Sequence, residues 1–381
     1  EGEKEIRKQA KLGEKLRQLD FASAEPFRRN FYSVKSTMSE DEIKRARQEL
    51  GVKLRAPCGP LSVPPPVTSF DDPSLPEYFQ QYISAHPKIT KPTAVQTQCL
   101  PAVMSGEDIL GIAPTGSGKT LAYLLPMIPH ILAQEAPMAG DGPIALVVVP
   151  TRELAQQVCD VARSFRKPFG LVSQVVFGGE KKCVQVDALQ WAGFHILVAT
   201  PGRLIDLLEI GATKLTRVTY WVLDEADRML SLGFEEQLNS ISSQVRPDRQ
   251  TLLFSATFPG KLQENAKEWM KDPVSIRVNV KEVEQSSMPS KGQDGTQDAN
   301  AAASAGVKHV GASSLTISDT IEQIVQVSAE HKKSRKLLRF IDGIREEEKQ
   351  NNVRNRALMV VFCTRIKTVK YVVDLLKKHN M

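Results

Sequence analysis

Six short apolar runs alternate with segments of helical pattern between residue 69 and about residue 279. The runs occupy residues 109–112, 145–149, 172–177, 196–198, 220–223 and 251–254. Short, mainly apolar runs of this kind, separated by helices, are typical of strands that are buried on both faces of a parallel sheet. The pattern therefore predicts an α/β fold in which helices flank a parallel sheet.

Each run is followed by a small cluster of polar residues, proline or glycine. The six clusters are Pro114-Thr115-Gly116, Pro150-Thr151-Arg152, Gly178-Gly179, Thr200-Pro201-Gly202, Asp224-Glu225 and Ser255-Ala256-Thr257. The carboxyl ends of parallel strands meet at one edge of a sheet, and ligands bind at that edge. We therefore expect the six clusters to form one binding region.

The first cluster lies between a predicted strand and a helix predicted over residues 119–133. Its full sequence is Ala113-Pro114-Thr115-Gly116-Ser117-Gly118-Lys119-Thr120, the spacing of a phosphate-binding loop, although Ala113 stands at the usual first glycine. The backbone N–H groups and the helix dipole would hold the phosphates of a nucleotide, and Lys119 would neutralise the β and γ groups. The Thr120 hydroxyl would be a ligand of Mg²⁺.

A second chemical signal is the acidic sequence Asp224-Glu225-Ala226-Asp227 after the run 220–223. Asp224 would hold Mg²⁺ through water, and Glu225 would orient or deprotonate the water that attacks the nucleotide. An acidic surface turn is the alternative for four such residues in isolation. The buried run before them favours the catalytic interpretation.

The two motifs together resemble the DEAD-box family of ATP-dependent RNA helicases. The other clusters follow the order of that family's motifs, and Lys91-Pro92-Thr93-Ala94-Val95-Gln96 is similar to its Q motif, with Phe70 upstream. The resemblance covers roughly residues 70–364. It implies a RecA-like, P-loop NTPase domain followed by the start of a second RecA-like domain, with ATP and Mg²⁺ as cofactors.

The resemblance also implies roles for single residues. Gln96 would read the edge of adenine, and Ser255 and Thr257 would link the γ-phosphate site to domain closure, acting with Lys119, Asp224 and Glu225. Ile89 stands where the family usually has an aromatic residue. An apolar contact would then replace base stacking, so we expect weaker ATP affinity.

The remaining clusters are expected to bind the RNA backbone, again from the resemblance. The residues concerned are Pro150, Thr151, Arg152, Gly179, Thr200, Pro201, Gly202 and Arg203. Charged groups, hydroxyls and glycines suit phosphate contacts and cannot read a base sequence, so binding would be independent of sequence. For Thr200-Pro201-Gly202 alone, a helix-capping turn is an equal alternative.

The predicted function is ATP-dependent RNA binding with local unwinding of duplexes. An ATP-gated RNA clamp or assembly scaffold would use the same residues without unwinding, and a P-loop ATPase acting on DNA is a third interpretation. The chain ends before the family's later motifs, which carry its arginine finger. We therefore expect this chain to bind nucleotide but to hydrolyse it weakly, measured as steady-state ATP turnover with saturating RNA.

The chain divides into four predicted segments. Residues 1–57 are predicted to be a charged extension of helices and linker, and residues 58–280 the first RecA-like domain. A low-complexity, disordered stretch is expected over residues 281–318. Residues 319–381 would start the second domain, with strands at 321–327 and 357–362 and a helix at 332–344.

Composition excludes some classes of protein. The 381 residues carry a formal net charge of +6. The five cysteines are scattered along the chain, and their spacing favours neither a disulfide framework nor a zinc site. Charged residues, Gly and Pro interrupt every apolar run well short of the roughly 20 residues of a membrane helix. We expect an intracellular monomer that binds RNA and protein partners in an RNA–protein complex. The complex would lie in the nucleus or the cytoplasm, and the nucleus is slightly favoured. The tryptophans are expected to be packing residues, and the pathway stays open.

Overall fold

The computed structural model describes Leu16, Phe21 and residues 25–35, 38–278, 324–351 and 357–379. It divides into two compact units, residues 1–316 and 317–381. The stretch 281–318, for which we predicted disorder, lies outside the described residues.

An eight-stranded sheet forms the centre of the first unit, in the order β1-β8-β2-β7-β6-β3-β5-β4. The strands are β1 (Val52–Arg55), β2 (Ile109–Ile112), β3 (Ala145–Val148), β4 (Ser173–Val176), β5 (Ile196–Ala199), β6 (Tyr220–Leu223), β7 (Gln250–Ser255) and β8 (Val274–Val278). Strands β2 to β8 are parallel, and β1 is antiparallel to β8. The predicted parallel sheet is confirmed, and the six predicted strands agree with the structure within one residue at each end.

Helices cover both faces of this sheet. In the first unit they are α1 (Glu40–Glu49), α2 (Glu77–Ser84), α3 (Ala94–Met104), α4 (Lys119–Leu132), α5 (Arg152–Arg163), α6 (Arg166–Phe169), α7 (Lys182–Gln190), α8 (Pro201–Glu209), α9 (Ala226–Ser231), α10 (Glu235–Gln244) and α11 (Gly260–Trp269). The sheet has a hydrophobic core on each face. Successive residues of a strand belong to different cores, as Val147 and Val148 do. Helices α2 to α5 cover one core, and α8 to α11 cover the other.

The structure differs from the prediction at residues 1–57. Strand β1 belongs to the sheet, with Val52 opposite Val278 and Arg55 opposite Ser275. Next to it, the buried Arg47 guanidinium donates to the Gln98 side chain and to carbonyls of residues 60, 63 and 64. The proline-rich stretch after β1 is therefore held against the first unit by hydrogen bonds from Arg47 and Gln98.

Residues 25–35 also pack on the first unit, at the edge where the strands begin. The Phe31 N–H donates to the Met104 carbonyl at 2.7 Å, and the Arg29 guanidinium donates to Asp108 Oδ1 at 2.9 Å. Phe27 and Phe31 contact the ring of the buried His130 edge to face. This segment therefore lies opposite the sheet edge where we predicted binding.

The second unit contains α12 (Glu330–Gln350) and α13 (Ile366–Lys378). The predicted helix at 332–344 is confirmed within α12, but residues 357–362 do not form the predicted strand, and Leu358 and Phe362 are 100% and 91% exposed. The described residues of this unit include no strand that could pair with them. Residues 324–327 are also irregular, and the first part of that predicted strand lies outside the described residues.

Two of the three tryptophans are packing residues, as predicted. Trp221 and Trp269 are buried and contact each other edge to face, whereas Trp191 is 90% exposed, so that prediction was wrong. In the described ranges, no helix has both the length and the apolar character needed to span a membrane.

Replacing His130 should remove a source of acid instability in the first unit. Burial, with a smaller effect of Arg29, lowers the pKa of His130 from 6.5 to about 3. The imidazole then stays neutral in the folded protein and takes up a proton on unfolding below pH 6.5. Its contribution to stability is complete above pH 6.5 and is lost as the pH falls towards the folded-state pKa.

For each pH unit below 6.5, we expect the free energy of unfolding of H130Q to fall by about 1.4 kcal/mol less than that of the unchanged chain. Urea unfolding followed by tryptophan fluorescence measures this, because all three tryptophans lie in the first unit. Equal pH slopes for the two proteins would contradict the expectation.

Candidate nucleotide and RNA site

The loop at residues 113–120 connects β2 to α4, and its backbone requires glycine. Gly116 and Gly118 have φ of +75° and +92°, in the left-handed region. A Cβ on Gly118 would lie only 2.6 Å from Gln96 Nε2. At the start of the loop, Ala113 is fully buried and its N–H donates to the Ser255 carbonyl, so alanine is accommodated there.

Gln96 connects the start of α3 to this loop. Its Oε1 accepts from the Thr93 N–H at 3.0 Å, and its Nε2 donates to the Gly118 carbonyl at 2.9 Å. The side chain is buried. Its role in reading adenine stays a prediction, and the contacts in the structure indicate that Gln96 also positions the phosphate loop.

Lys119 lies buried inside the loop that precedes it. Its Nζ donates to the carbonyls of Ala113 and Pro114 at 2.9 and 3.1 Å. Burial lowers the pKa of Lys119, and the nearby carboxylates of Asp224, Glu225 and Asp227 oppose that shift. The ammonium group is therefore placed where the loop's N–H groups and the acidic cluster come together.

Asp224 follows β6 directly and is also buried. Its Oδ2 accepts from the Tyr123 hydroxyl at 3.0 Å, and its Oδ1 accepts from the Glu225 N–H at 2.9 Å. Burial raises the pKa of Asp224, while Lys119 and these two hydrogen bonds favour the charged carboxylate. The carboxylate is thus held in one orientation beside the phosphate loop.

Glu225 adopts a left-handed backbone conformation with φ of +53°, which is uncommon for a residue with a side chain. Its carboxylate forms an ion pair with Arg228 at 3.2 Å. Strained backbone of this kind costs about 1–3 kcal/mol and often occurs at functional sites. Glu225, the residue predicted to orient the attacking water, therefore has the kind of backbone strain that functional sites often show.

Asp227 is a site residue that had no role among the predictions from the sequence. Its Oδ2 accepts from both the N–H and the hydroxyl of Thr257, at 3.0 and 2.6 Å, and its N–H donates to the Ser255 hydroxyl. Asp227 therefore connects the cluster after β6 to the cluster after β7. Its place in the same acidic sequence as Asp224 was the available signal.

The residues present fit a nucleotide phosphate with Mg²⁺. Within the part of the chain that the structure describes, the buried Ser117 hydroxyl has no hydrogen-bond partner, and no group of three His, Cys, Asp or Glu side chains could hold a metal alone. Mg²⁺ is commonly bound through one or two protein oxygens together with substrate phosphates. Thr120 and Asp224 provide oxygen groups of this kind.

The predicted RNA residues lie after β3, β4 and β5. Thr151 caps α5 by accepting from the Leu154 N–H at 3.3 Å, and Arg152 is exposed, next to Glu153. A Cβ built on Gly179 would lie 3.5 Å from Arg152 Nη1, so the two predicted contacts are close together. Arg152 is thus placed to offer its charge to a ligand at this edge.

Arg203 differs from the expectation, because it is 9% exposed and is used within the protein. Its Nη2 donates to the Glu180 carbonyl at 3.0 Å, in the turn that carries Gly179. Gln185, which we did not predict, holds the same turn by donating to the Phe177 carbonyl and the Glu180 carboxylate. Thr200 precedes α8, Pro201 opens it and Gly202 follows, so these residues start a helix, but the Thr200 side chain makes no capping hydrogen bond.

Comparison with known proteins relates this arrangement to a family. Residues 93–265 match the family model described as DEAD/DEAH box helicase. The chain is 45% identical over 267 residues to the ATP-dependent RNA helicase DBP2 of Eremothecium gossypii, covering 69% of this chain and 47% of that protein. It is 49% identical over 257 residues to the DEAD-box ATP-dependent RNA helicase 24 of Oryza sativa subsp. japonica, covering 67% and 33%.

Two solved structures are also similar. The crystal structure of the yeast DEAD-box splicing factor Prp28 has a TM-score of 0.58 and 31% identity, and the match covers 64% of this chain and 58% of that one. Prp28 from Chaetomium thermophilum bound to ADP has a TM-score of 0.58 and 27% identity, covering 91% and 71%. The chain spans about half the length, or less, of the first curated relatives it matches.

Replacing Gln96 tests whether it positions the phosphate loop. We expect Q96M, which preserves side-chain length but removes the contacts with Thr93 and Gly118, to weaken binding of both ATP and inorganic triphosphate by about tenfold, as the loss of one or two hydrogen bonds predicts. Competition against a fluorescent nucleotide measures both affinities. Triphosphate affinity that is unchanged while ATP binding weakens would assign Gln96 to the base alone.

Proposed function

Because this chain belongs to the DEAD/DEAH box helicase family, we propose that it binds ATP and RNA and couples ATP hydrolysis to local separation of RNA duplexes. One observation carries the proposal: the two groups of site residues occupy adjacent halves of the same sheet edge. The nucleotide group follows β2, β7 and β6, and the RNA group follows β3, β5 and β4.

On the nucleotide side, the loop's N–H groups would bind the phosphates, and Lys119 would neutralise their charge. Mg²⁺, when bound, would offset the charge on the phosphate oxygens, held by Thr120 and, through water, by Asp224. Glu225 would orient the attacking water and accept its proton. A change in the position of Asp227 would move Ser255 and Thr257, because Asp227 is hydrogen-bonded to both.

On the RNA side, Arg152 would bind backbone phosphate, with Thr151 and Thr200 as hydroxyl donors. Gly179 would allow the backbone of its turn to approach RNA closely. Arg203 would act mainly by holding that turn through the Glu180 carbonyl. Contacts of this kind are independent of base sequence, so the proposed substrate is RNA of any sequence.

The setting of this activity is also part of the proposal. One of the similar structures is described as a splicing factor, and this supports an intracellular, nuclear RNA–protein assembly as the place of action. We propose that the protein acts there as a monomer, with protein partners selecting its RNA.

The test uses the full-length protein and its E225Q variant. We expect the unchanged protein to separate a short RNA duplex in the presence of ATP and Mg²⁺. The amide of E225Q should preserve shape and ATP binding but cannot accept a proton, so hydrolysis should fall by about 100-fold or more. Strand separation, ATP turnover and RNA affinity are measured together.

The outcomes distinguish the alternatives. RNA binding that depends on ATP without strand separation would favour an ATP-gated clamp. Equal competition by DNA of the same length would favour a P-loop ATPase acting on DNA. Turnover by E225Q at the rate of the unchanged protein would contradict the role of Glu225.

A further inference from the structure

Tyr123 lies completely buried in α4, one helical turn after Thr120. Its hydroxyl donates to Asp224 Oδ2 at 3.0 Å, across the space between α4 and the end of β6. Thr120 lies near the same hydroxyl and opposes the rise in the pKa of Tyr123 that burial causes. One buried phenol therefore contacts one of the two side chains that fit Mg²⁺ and lies near the other.

Packing keeps the Tyr123 side chain in this place, because its ring lies against Phe254 with centroids 5.5 Å apart. The Tyr220 hydroxyl donates only to the backbone carbonyl of Tyr123, at 2.8 Å, and does not contact the phenol group. Tyr220 and Phe254 are also fully buried. The phenol therefore has little freedom to turn away from Asp224, since protein interiors are closely packed.

The hydrogen-bonding capacity of the phenol suits this position. A tyrosine hydroxyl has one proton to donate and oxygen lone pairs that can accept. Its proton is used on Asp224 Oδ2, while Asp224 Oδ1 accepts from the Glu225 N–H. Each carboxylate oxygen thus has a fixed hydrogen bond and keeps a free lone-pair direction for a metal-bound water.

The charges around Asp224 do not fix its orientation in the same way. Lys119 attracts the carboxylate and Glu225 repels it, but the Lys119 ammonium donates its hydrogen bonds to the carbonyls of Ala113 and Pro114. The directional contacts of the Asp224 carboxylate therefore come from Tyr123 and from the backbone of Glu225.

We propose that Tyr123 is a positioning residue for the Mg²⁺ site: its hydroxyl holds the Asp224 carboxylate in the orientation that the metal and its water require. The proposal rests on the proposed function, because it needs a nucleotide site that uses Mg²⁺. Tyr123 would not touch the nucleotide, so its effect should be confined to the metal dependence of binding.

The test compares Y123F with Y220F in otherwise unchanged protein. Each variant removes one buried tyrosine hydroxyl and leaves the ring in place, but only Tyr123 contacts Asp224. Affinity for a fluorescent ADP analogue is measured across a Mg²⁺ titration and in EDTA, with thermal unfolding to compare stability. Binding of Mn²⁺, followed by electron paramagnetic resonance, provides a direct readout of the metal.

We expect Y123F to need about tenfold more Mg²⁺ for half-maximal enhancement of nucleotide binding, as the loss of a hydrogen bond to a charged group predicts. Its affinity in EDTA should stay unchanged, and its Mn²⁺ affinity should fall in parallel. Y220F should lose similar thermal stability and keep the Mg²⁺ dependence of the unchanged protein.

Three results would overturn the inference: an unchanged or tighter Mg²⁺ dependence in Y123F, the same shift in Y220F, or an equal loss of affinity in EDTA. The last two would assign Tyr123 to packing alone. Failure of the proposed function looks different, because the unchanged protein would then bind nucleotide without any dependence on Mg²⁺, or would not bind it.

Discussion

Parallel hydrogen bonding among β2, β7 and β6 is the constraint on which the nucleotide site depends. These strands are far apart in the sequence, but the register places Ile112 beside Ser255 and Leu223 beside Leu253. The residues that follow the three strands must then lie at one edge. This is why Lys119 lies near the charge of Asp224, more than a hundred residues further along the chain, and why Asp227 donates a hydrogen bond to Ser255.

The same register extends to the RNA half of the edge. Strand β3 pairs with β6 on one side and with β5 on the other, so Val148 lies between Leu223 and Ala199. The cluster that contains Thr151 and Arg152 is therefore next to the acidic cluster. Under the proposed function, a movement produced by ATP around Asp224 and Asp227 would pass directly to the neighbouring strand β3 and the groups proposed to bind RNA. This would be a short physical route for coupling the two ligands.

The apolar runs predicted the six strands closely because every residue of five of them is buried, whereas β4, at the edge of the sheet, has half-exposed residues at Gln174 and Val175. Strands β1 and β8 were not predicted, because exposed or half-exposed residues such as Lys53 and Arg277 alternate with buried ones. The loop and acidic motifs were predicted correctly at the sheet edge. The contacts of Gln96, Arg203 and Tyr123 could not be predicted, since the direction of a side chain depends on neighbours from other elements. The apolar residues 357–362 were predicted to be a strand but do not form one, because an apolar run forms a strand only beside a partner strand.

The central claim is that nucleotide and RNA bind to one coupled edge of the sheet. The most direct measurement is the affinity of the full-length protein for a single-stranded RNA, determined with a non-hydrolysable ATP analogue and Mg²⁺, with ADP and Mg²⁺, and without nucleotide. The account predicts RNA binding at least about tenfold tighter with the ATP analogue, a coupling free energy within the usual range of 1–3 kcal/mol. Equal RNA affinity in all three conditions would contradict it.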